Sequence, residues 1–181
     1  MIIKTITGKV WILQAKNGTL IEDIDTDQIF HNAYLHITEL DQMGPYALGN
    51  LEGWKDFPQK TGPGDIVIAG RNFGAGSSRQ QAVDCFIALK TGLLMAPSFG
   101  AIYFRNAVNS GFPLMRGGEL PAWIDSGGLA TGDEITVDFQ SGELVNRSRN
   151  TSFRMDPMSG VQMDILRAGG LFAYAKDLNP G

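Results

Sequence analysis

Residues 65–79 read Asp65-Ile66-Val67-Ile68-Ala69-Gly70-Arg71-Asn72-Phe73-Gly74-Ala75-Gly76-Ser77-Ser78-Arg79, and this stretch decides the fold class. It opens with a short apolar run closed by glycine, the pattern of a buried strand. The glycine-rich loop that follows leads into a helix expected to open at Ser77 or Ser78. Ala82, Cys85, Phe86 and Leu89 recur at helical spacing, and Gly92 is a natural C′ stop. A second apolar strand, Leu93-Leu94-Met95-Ala96, passes through Pro97-Ser98-Phe99-Gly100 into a helix of about ten residues. That helix should end at Gly111, before Phe112-Pro113-Leu114-Met115. Strand, helix, strand, helix and strand in this order predict a parallel α/β core with right-handed crossovers.

On the N-terminal side, residues 5–13 are rich in β-branched and apolar types and predict a strand. The stretch from Asn17 to Ile37 is polar and irregular and holds Glu22-Asp23-Ile24-Asp25-Thr26-Asp27. Residues 41–64 carry so many Gly and Pro breakers that loops or short helical turns are expected, as a mobile surface segment. On the C-terminal side, Ile135-Thr136-Val137-Asp138-Phe139 alternates strictly, and Ser141-Gly142 turns it into a second strand, a hairpin. A last helix covers Ser159 to Ala168, with Gly169-Gly170 beyond it. With no internal repeat and no clean linker, residues 1–181 are expected to form one domain.

Composition excludes several classes. The chain is 43% hydrophobic and 19% charged, too apolar for disorder. Its net charge is −4 and no short window gathers Lys and Arg, so nucleic acid is not expected as a partner. The lone Cys85 can form no internal disulfide and cannot by itself hold zinc or an iron–sulfur cluster. Residues 1–8 lack a signal-peptide pattern, and no apolar run reaches the roughly 20 residues that span a bilayer. No membrane partner and a cytoplasmic location are therefore expected. The sequons at Asn17, Asn146 and Asn150 carry no weight for such a chain.

The glycine-rich loop also carries the chemistry. Glycines let a backbone approach a ligand closely, and free N–H groups at a helix start favour an anion. Arg79 adds a fork able to grip a carboxylate at two points. Spacing alone allows a purely structural turn as readily as a binding loop. Both common nucleotide patterns are absent: no lysine follows Gly76, and Arg79 stands where the dinucleotide pattern needs Gly or Ala. The Asp23/Asp25/Asp27 series fails as a calcium loop, because the sixth-position glycine is missing and Tyr34 stands where a bidentate Glu belongs.

Asn72-Phe73-Gly74-Ala75-Gly76-Ser77-Ser78-Arg79 resembles the signature of the aconitase superfamily's swivel domain. Asp23 to Ile29 followed by Tyr34-Leu35 resembles the N-terminal signature of small isopropylmalate dehydratase subunits. Ser98 to Ala107, Gly111 to Leu114 and Ile165 to Leu171 are similar to further family segments in the same order. The resemblance implies an α/β chain with the swivelling β/β/α domain, a sheet sandwich or barrel with flanking helices. It implies a hydro-lyase subunit that dehydrates and rehydrates a hydroxy-dicarboxylate, active only with a large subunit carrying a 4Fe-4S cluster. This chain alone would bind no cofactor or metal.

By the same resemblance, Ser77 is the base that removes the proton beside a carboxylate. Arg79 holds a substrate carboxylate and supports the serine alkoxide, and Asp27 serves the site or a catalytic partner. Gly76, Ser78, Leu35 and His36 would contact substrate. Two positions depart from the family. Gln80 stands where Glu is usual, leaving the orientation of Arg79 open. His36 stands where relatives carry an apolar residue or Arg, and histidine can meet either an apolar group or a carboxylate. The best expectation is 3-isopropylmalate dehydration, with homoaconitate or another alkylated malate as runner-up and a non-catalytic anion-binding module as the alternative class. Arg105, Asn106 and the methionines Met155, Met158 and Met163 read as fold or interface residues, His31 as structural, and Cys85 as inert.

Overall fold

In the computed structural model, residues 4–178 are described; the first three residues of the N-terminal stretch read for a signal peptide lie outside them. One seven-stranded sheet organises the chain in the order β4-β3-β2-β1-β5-β6-β7. The strands are β1 (Thr5–Ile12), β2 (Ile66–Ile68), β3 (Leu93–Ala96), β4 (Leu114–Arg116), β5 (Glu134–Asp138), β6 (Glu143–Asn146) and β7 (Thr151–Arg154). β1 to β4 run parallel, as expected, whereas β5 pairs antiparallel with β1 and continues as a meander through β6 and β7.

Burial follows this division. β2 and β3 are buried at every residue, because both faces of the parallel half are covered. β6 alternates buried and exposed, because one of its faces meets water. One face of the sheet packs Val10, Ile12, Ile66, Ile68, Leu93, Met95, Ile135, Val137 and Leu144 into a core capped by Met155, Met158 and Met163. The sheet curls around this core until its ends meet: Asp156 N donates to the Arg116 carbonyl at 2.7 Å. This curled sheet with flanking helices is the expected swivel architecture.

The first four helices cover the other face, while the fifth and sixth pack against the core just described. α1 (Thr26–Ile29) and α2 (Phe57–Lys60) are single turns, while α3 (Gln81–Ala88) and α4 (Ala101–Asn109) are the two crossovers. α5 (Leu120–Asp125), α6 (Gly160–Ala168) and α7 (Leu171–Leu178) complete the chain. Ser159 caps α6 through a reciprocal box with Gln162, and Gly169 ends it at φ +82°, as the sequence indicates. Neither α5, β7 nor α7 was anticipated. β7 (Thr-Ser-Phe-Arg) holds a single apolar residue, Phe153, and the apolar Leu171–Ala175 run follows two glycines that mark an end.

Three expectations need correction. The 41–64 segment is not a mobile surface stretch: Met43, Ala47, Leu48, Leu51 and Phe57 are buried in the helix-side core. Its short turns lie against α3, where an added Cβ on Gly44 would sit 3.2 Å from Leu89 Cδ2. The C′ residue of α3 is Lys90 rather than Gly92. Lys90 adopts φ +57°, with its N–H on the Ile87 carbonyl and the Thr91 N–H on the Phe86 carbonyl, a Schellman pair. Gly92 is needed for space, since a Cβ there would lie 2.7 Å from the Gly64 carbonyl oxygen. The third correction, the start of α3, bears on the site and is given below.

α4 is pinned to the loop after β2. A Cβ on Gly74 would fall 2.2 Å from Tyr103 Cγ, and the buried Tyr103 hydroxyl donates to the Ala82 carbonyl at 3.2 Å. Gly127, at φ +79°, has the same backbone as Gly74, at φ +78°, but nothing within 4 Å of its would-be Cβ. Gly→Ala costs about 1–2 kcal/mol of left-handed strain at either site. Gly74→Ala should cost a further ~1–3 kcal/mol for overpacking. Urea unfolding of the two variants measures the difference directly.

Candidate active site

The loops that leave the carboxyl ends of β1, β2 and β3 gather at one edge of the parallel half, where ligands of open α/β sheets bind. The loop after β2 is the middle member. On one side, Gly74 N donates to the Ile24 carbonyl at 2.8 Å and Thr26 N to the Ala75 carbonyl at 3.0 Å. Thr26 Oγ1 adds a bond to the Ser77 carbonyl at 3.1 Å. Farther out, Arg71 grips Glu22 with Nε and Nη2, each at 2.9 Å, and Asn72 Nδ2 donates to Asp23 Oδ1 at 2.8 Å. On the other side, Phe73 N donates to the Ser98 carbonyl and Gly100 N to the Phe73 carbonyl at 2.8 Å. Three segments far apart in sequence thus form one laced surface. The acidic run is consumed by this lacing, since Asp23, Asp25 and Asp27 each accept from a different partner.

α3 does not open at Ser77 or Ser78. It starts at Gln81, with Gln80 as N-cap. Gly76 at φ +93° cannot continue a helix, and Thr26 holds the Ser77 carbonyl in the loop. The first amides of α3 are already spent, with Ala82 N on the Arg79 carbonyl and Val83 N on the Gln80 carbonyl. The helix dipole is therefore not aimed through Ser77. What the loop offers is its own backbone: among the described residues, the N–H groups of Gly76, Ser77, Ser78 and Arg79 donate to no protein acceptor. Gly76, Ser77 and Ser78 are exposed, and the Ser77 hydroxyl makes no hydrogen bond among these residues.

Arg79 sits differently from expectation. Its side chain is only 12% exposed, and Nη1 donates to Asp27 Oδ1 at 2.9 Å, to the Thr26 carbonyl at 3.3 Å and to the Phe30 carbonyl. It closes the carboxyl end of α1, a favourable place for a cation. Nη1 is spent, but Nε and Nη2, the pair with which Arg71 grips Glu22, remain and can still hold a carboxylate at two points. Asp27 is likewise committed: Oδ1 also accepts from Asn32 N at 2.9 Å, and Oδ2 from Asn50 Nδ2 at 3.0 Å. The Arg79 hydrogen bond holds the Asp27 carboxyl below the usual range, opposed by partial desolvation and aided by the Asn32 N–H. Both Asp27 oxygens thus serve donors of the fold, and one of them anchors Arg79.

Gln80 does not orient Arg79. Its amide turns the other way, donating to Asp84 Oδ1 at 2.8 Å and to Ser110 Oγ at 2.9 Å. Ser78 Oγ accepts from Asn106 Nδ2 at 3.3 Å, which brings α4 to the site. Leu35 lies over the start of α3, its carbonyl 3.5 Å from Gln81 Nε2. His36 is exposed and donates from Nδ1 to the Ala33 carbonyl at 3.2 Å, lining a shallow depression with Ile37, Glu39 and Tyr46 rather than with Ser77. His31 caps the turn at Asn32, its Nδ1 accepting from Ala33 N. Thr26, Asn50 and Asn106 are the site residues that sequence reading undervalued. Asn106 stood in a quoted family block, whereas Asn50, among breakers, gave no signal.

This arrangement has relatives. The family model for the aconitase C-terminal domain matches residues 15–115, which include all three laced segments, and the chain belongs to that family. Within it, the chain is a member of the 3-isopropylmalate dehydratase small-subunit group. It is 34% identical over 96% of both chains to the "3-isopropylmalate dehydratase small subunit" of Aliarcobacter butzleri. It is 36% identical over 94% of both chains to the protein of the same name from Thermodesulfovibrio yellowstonii. A crystal structure of 3-isopropylmalate dehydratase from Methanocaldococcus jannaschii superposes with a TM-score of 0.83 at 29% identity, covering 97% of this chain and 96% of that one.

The Arg79–Asp27 pair sets a pH dependence. Because the folded pKa of Asp27 is depressed, the pair stabilises the fold above the unfolded value, and that contribution is lost as pH falls through the folded value. Asp27→Asn keeps the shape and removes the charge. Its stability deficit in urea unfolding should be widest near neutrality and should shrink below about pH 4.

Proposed function

We propose that the chain is the small subunit of a 3-isopropylmalate dehydratase, interconverting 2- and 3-isopropylmalate by dehydration and rehydration in leucine biosynthesis. The single observation carrying this reading is the laced surface, on which an exposed serine hydroxyl stands among uncommitted backbone N–H groups beside a nearly buried arginine. Residues 1–181 act as one swivel domain, in the cytoplasm, without a nucleic-acid or membrane partner. No helix among the described residues is long and apolar enough to cross a membrane.

The surface is open, and none of the principal cavities is lined by Ser77. Carbanion chemistry needs water excluded, so a second wall is required, and the large subunit supplies it. The cluster belongs there too. Cys85 is fully buried on α3 and burial pushes its thiol pKa up, so it does not fit as a cluster thiolate. When bound on the partner, the 4Fe-4S cluster supplies Lewis-acid activation of the substrate hydroxyl.

Within this chain, Ser77 acts as the alkoxide, supported by the N–H groups of Gly76 to Arg79; it takes the proton beside the carboxylate and becomes the neutral hydroxyl. The remaining Arg79 nitrogens add positive charge and meet a substrate carboxylate, while Asp27 fixes the arginine. Ser78 contributes a hydroxyl at the same edge. Leu35 and His36 form the rim that meets the substrate's side chain once the partner closes over it. The exposed His36, which fits neither an apolar nor an arginine position cleanly, keeps homoaconitate or another alkylated malate as the second reading.

Reconstitution with a cognate large subunit under anaerobic conditions, assayed on isopropylmalate, homoaconitate and dimethylmalate, tests both. Isopropylmalate should be preferred, and Ser77→Ala should lower kcat by roughly 10²–10⁴-fold with little change in KM. Preference for a different acid would move the substrate and implicate His36. No turnover on any acid, with cluster and complex intact, would favour a non-catalytic anion-binding module.

A further inference from the structure

We propose that Asn106, Ser110 and Gln80 are positioning residues for Ser77, forming two polar rungs that hold the Ser77–Arg79 strip against α4. The inference rests on the reading of Ser77 as the reactive group. Side chains along the strip alternate: Ser78 and Gln80 turn to α4, while Arg79 between them turns to α1. The α4 partners, Asn106 and Ser110, stand four residues apart, a rise of about 6 Å. Ser110 N donates to the Asn106 carbonyl at 3.0 Å, tying one rung to the other.

The strip needs such a clamp. Gly76, at φ +93°, has no side chain to pack, and an added Cβ would come no closer than 3.7 Å to any neighbour, so it is a natural hinge. α4 is a firm template, held to the preceding loop through Gly100 N and to α3 through the Tyr103 hydroxyl. Arg79 pulls on one side and the rungs on the other, which leaves Ser77 at a defined height above the surface. A displacement of one ångström in a reacting group can cost about a hundredfold in rate.

Gln80 is suited to the task because an amide can donate to Asp84 and Ser110 together. A carboxylate in its place would face Asp84 across the 2.8 Å now bridged by an N–H. Two such oxygens can stay close only by sharing a proton. The other titratable groups facing Asp84 are the buried Cys85 thiol of α3 and the Tyr103 phenol of α4, both kept neutral by burial. Among the described residues Asp84 has no cationic partner.

The test uses the reconstituted complex for kcat, KM and pH profile, and the full chain alone for backbone amide NMR order parameters. Asn106→Ala should lower kcat roughly ten- to a hundredfold with KM and melting temperature little changed. The Gly76–Arg79 order parameters should fall from about 0.85 toward 0.6. Ser110→Ala, a milder change, should move both in the same direction. Gln80→Glu should add a loss of kcat toward alkaline pH that the parent lacks, because the shared proton is then removed. Parent-like kcat, pH profile and order parameters in Asn106→Ala and Gln80→Glu would overturn the clamp. If the parent complex shows no turnover, the reading of Ser77 fails, while the order parameters still decide whether the rungs hold the strip.

Discussion

The Arg79 guanidinium is the contact on which the candidate site depends. One of its nitrogens serves three acceptors at the end of α1, and the side chain is nearly buried. A cation removed from water in this way is stable only if its charge and its donors are met. Asp27 meets the charge, and the carbonyls of Thr26 and Phe30 use the donors and are themselves satisfied as the open end of a helical turn. The contact joins the acidic segment to the glycine-rich loop across more than 50 residues of sequence. Everything else at the site, including the Thr26 bonds to Ala75 and Ser77, is arranged around that join.

The sheet explains why these loops meet. In the parallel half, successive strands point their carboxyl ends the same way, so the loops after β1, β2 and β3 emerge at one edge. The antiparallel half contributes nothing to that edge. It rolls the sheet back toward β4 and encloses the second core, using alternation where the parallel strands use continuous apolar runs. The helix-side core is aromatic, with Phe57, Phe73, Phe86, Phe112 and Tyr103 in mutual contact. Phe73 lies within the glycine-rich loop itself, so the loop is rooted in the core and only its far end, from Gly76, faces solvent.

An open reactive surface fits a subunit whose chemistry is completed by a partner. The chain's own residues fix a serine, its backbone donors and a cation. They do not wall the serine off from water. On the proposed reading, the laced surface lies on one chain and the closure on another, and binding of the partner excludes solvent.

Parts of this were legible in the sequence because they rest on local physics. Continuous apolar runs marked β2 and β3, strict alternation marked β5, and the glycine pair beyond Ala168 marked the end of α6, whose start fell within one residue. Ser77, Arg79 and Asp27 were legible as a set through family segments. Their roles were not, because burial and partner choice are properties of packing. Arg79, read only as a fork for a carboxylate, is also an anchor, because α1 and the residue after it supply acceptors to Nη1 from 49 to 53 residues away. Gln80, read as a neighbour of Arg79, turns instead to Asp84 and to Ser110 at the end of α4, partners that only packing supplies. The breaker-rich 41–64 segment looked mobile because Gly and Pro signal irregular backbone, which says nothing about whether the apolar residues between them are buried. By itself, then, the sequence determined the strands and crossover helices of the parallel core, set largely by contacts between near neighbours, and, through family segments, the identity of the candidate loop. Which donors stay free, and which charges are spent, was decided only when distant segments packed together.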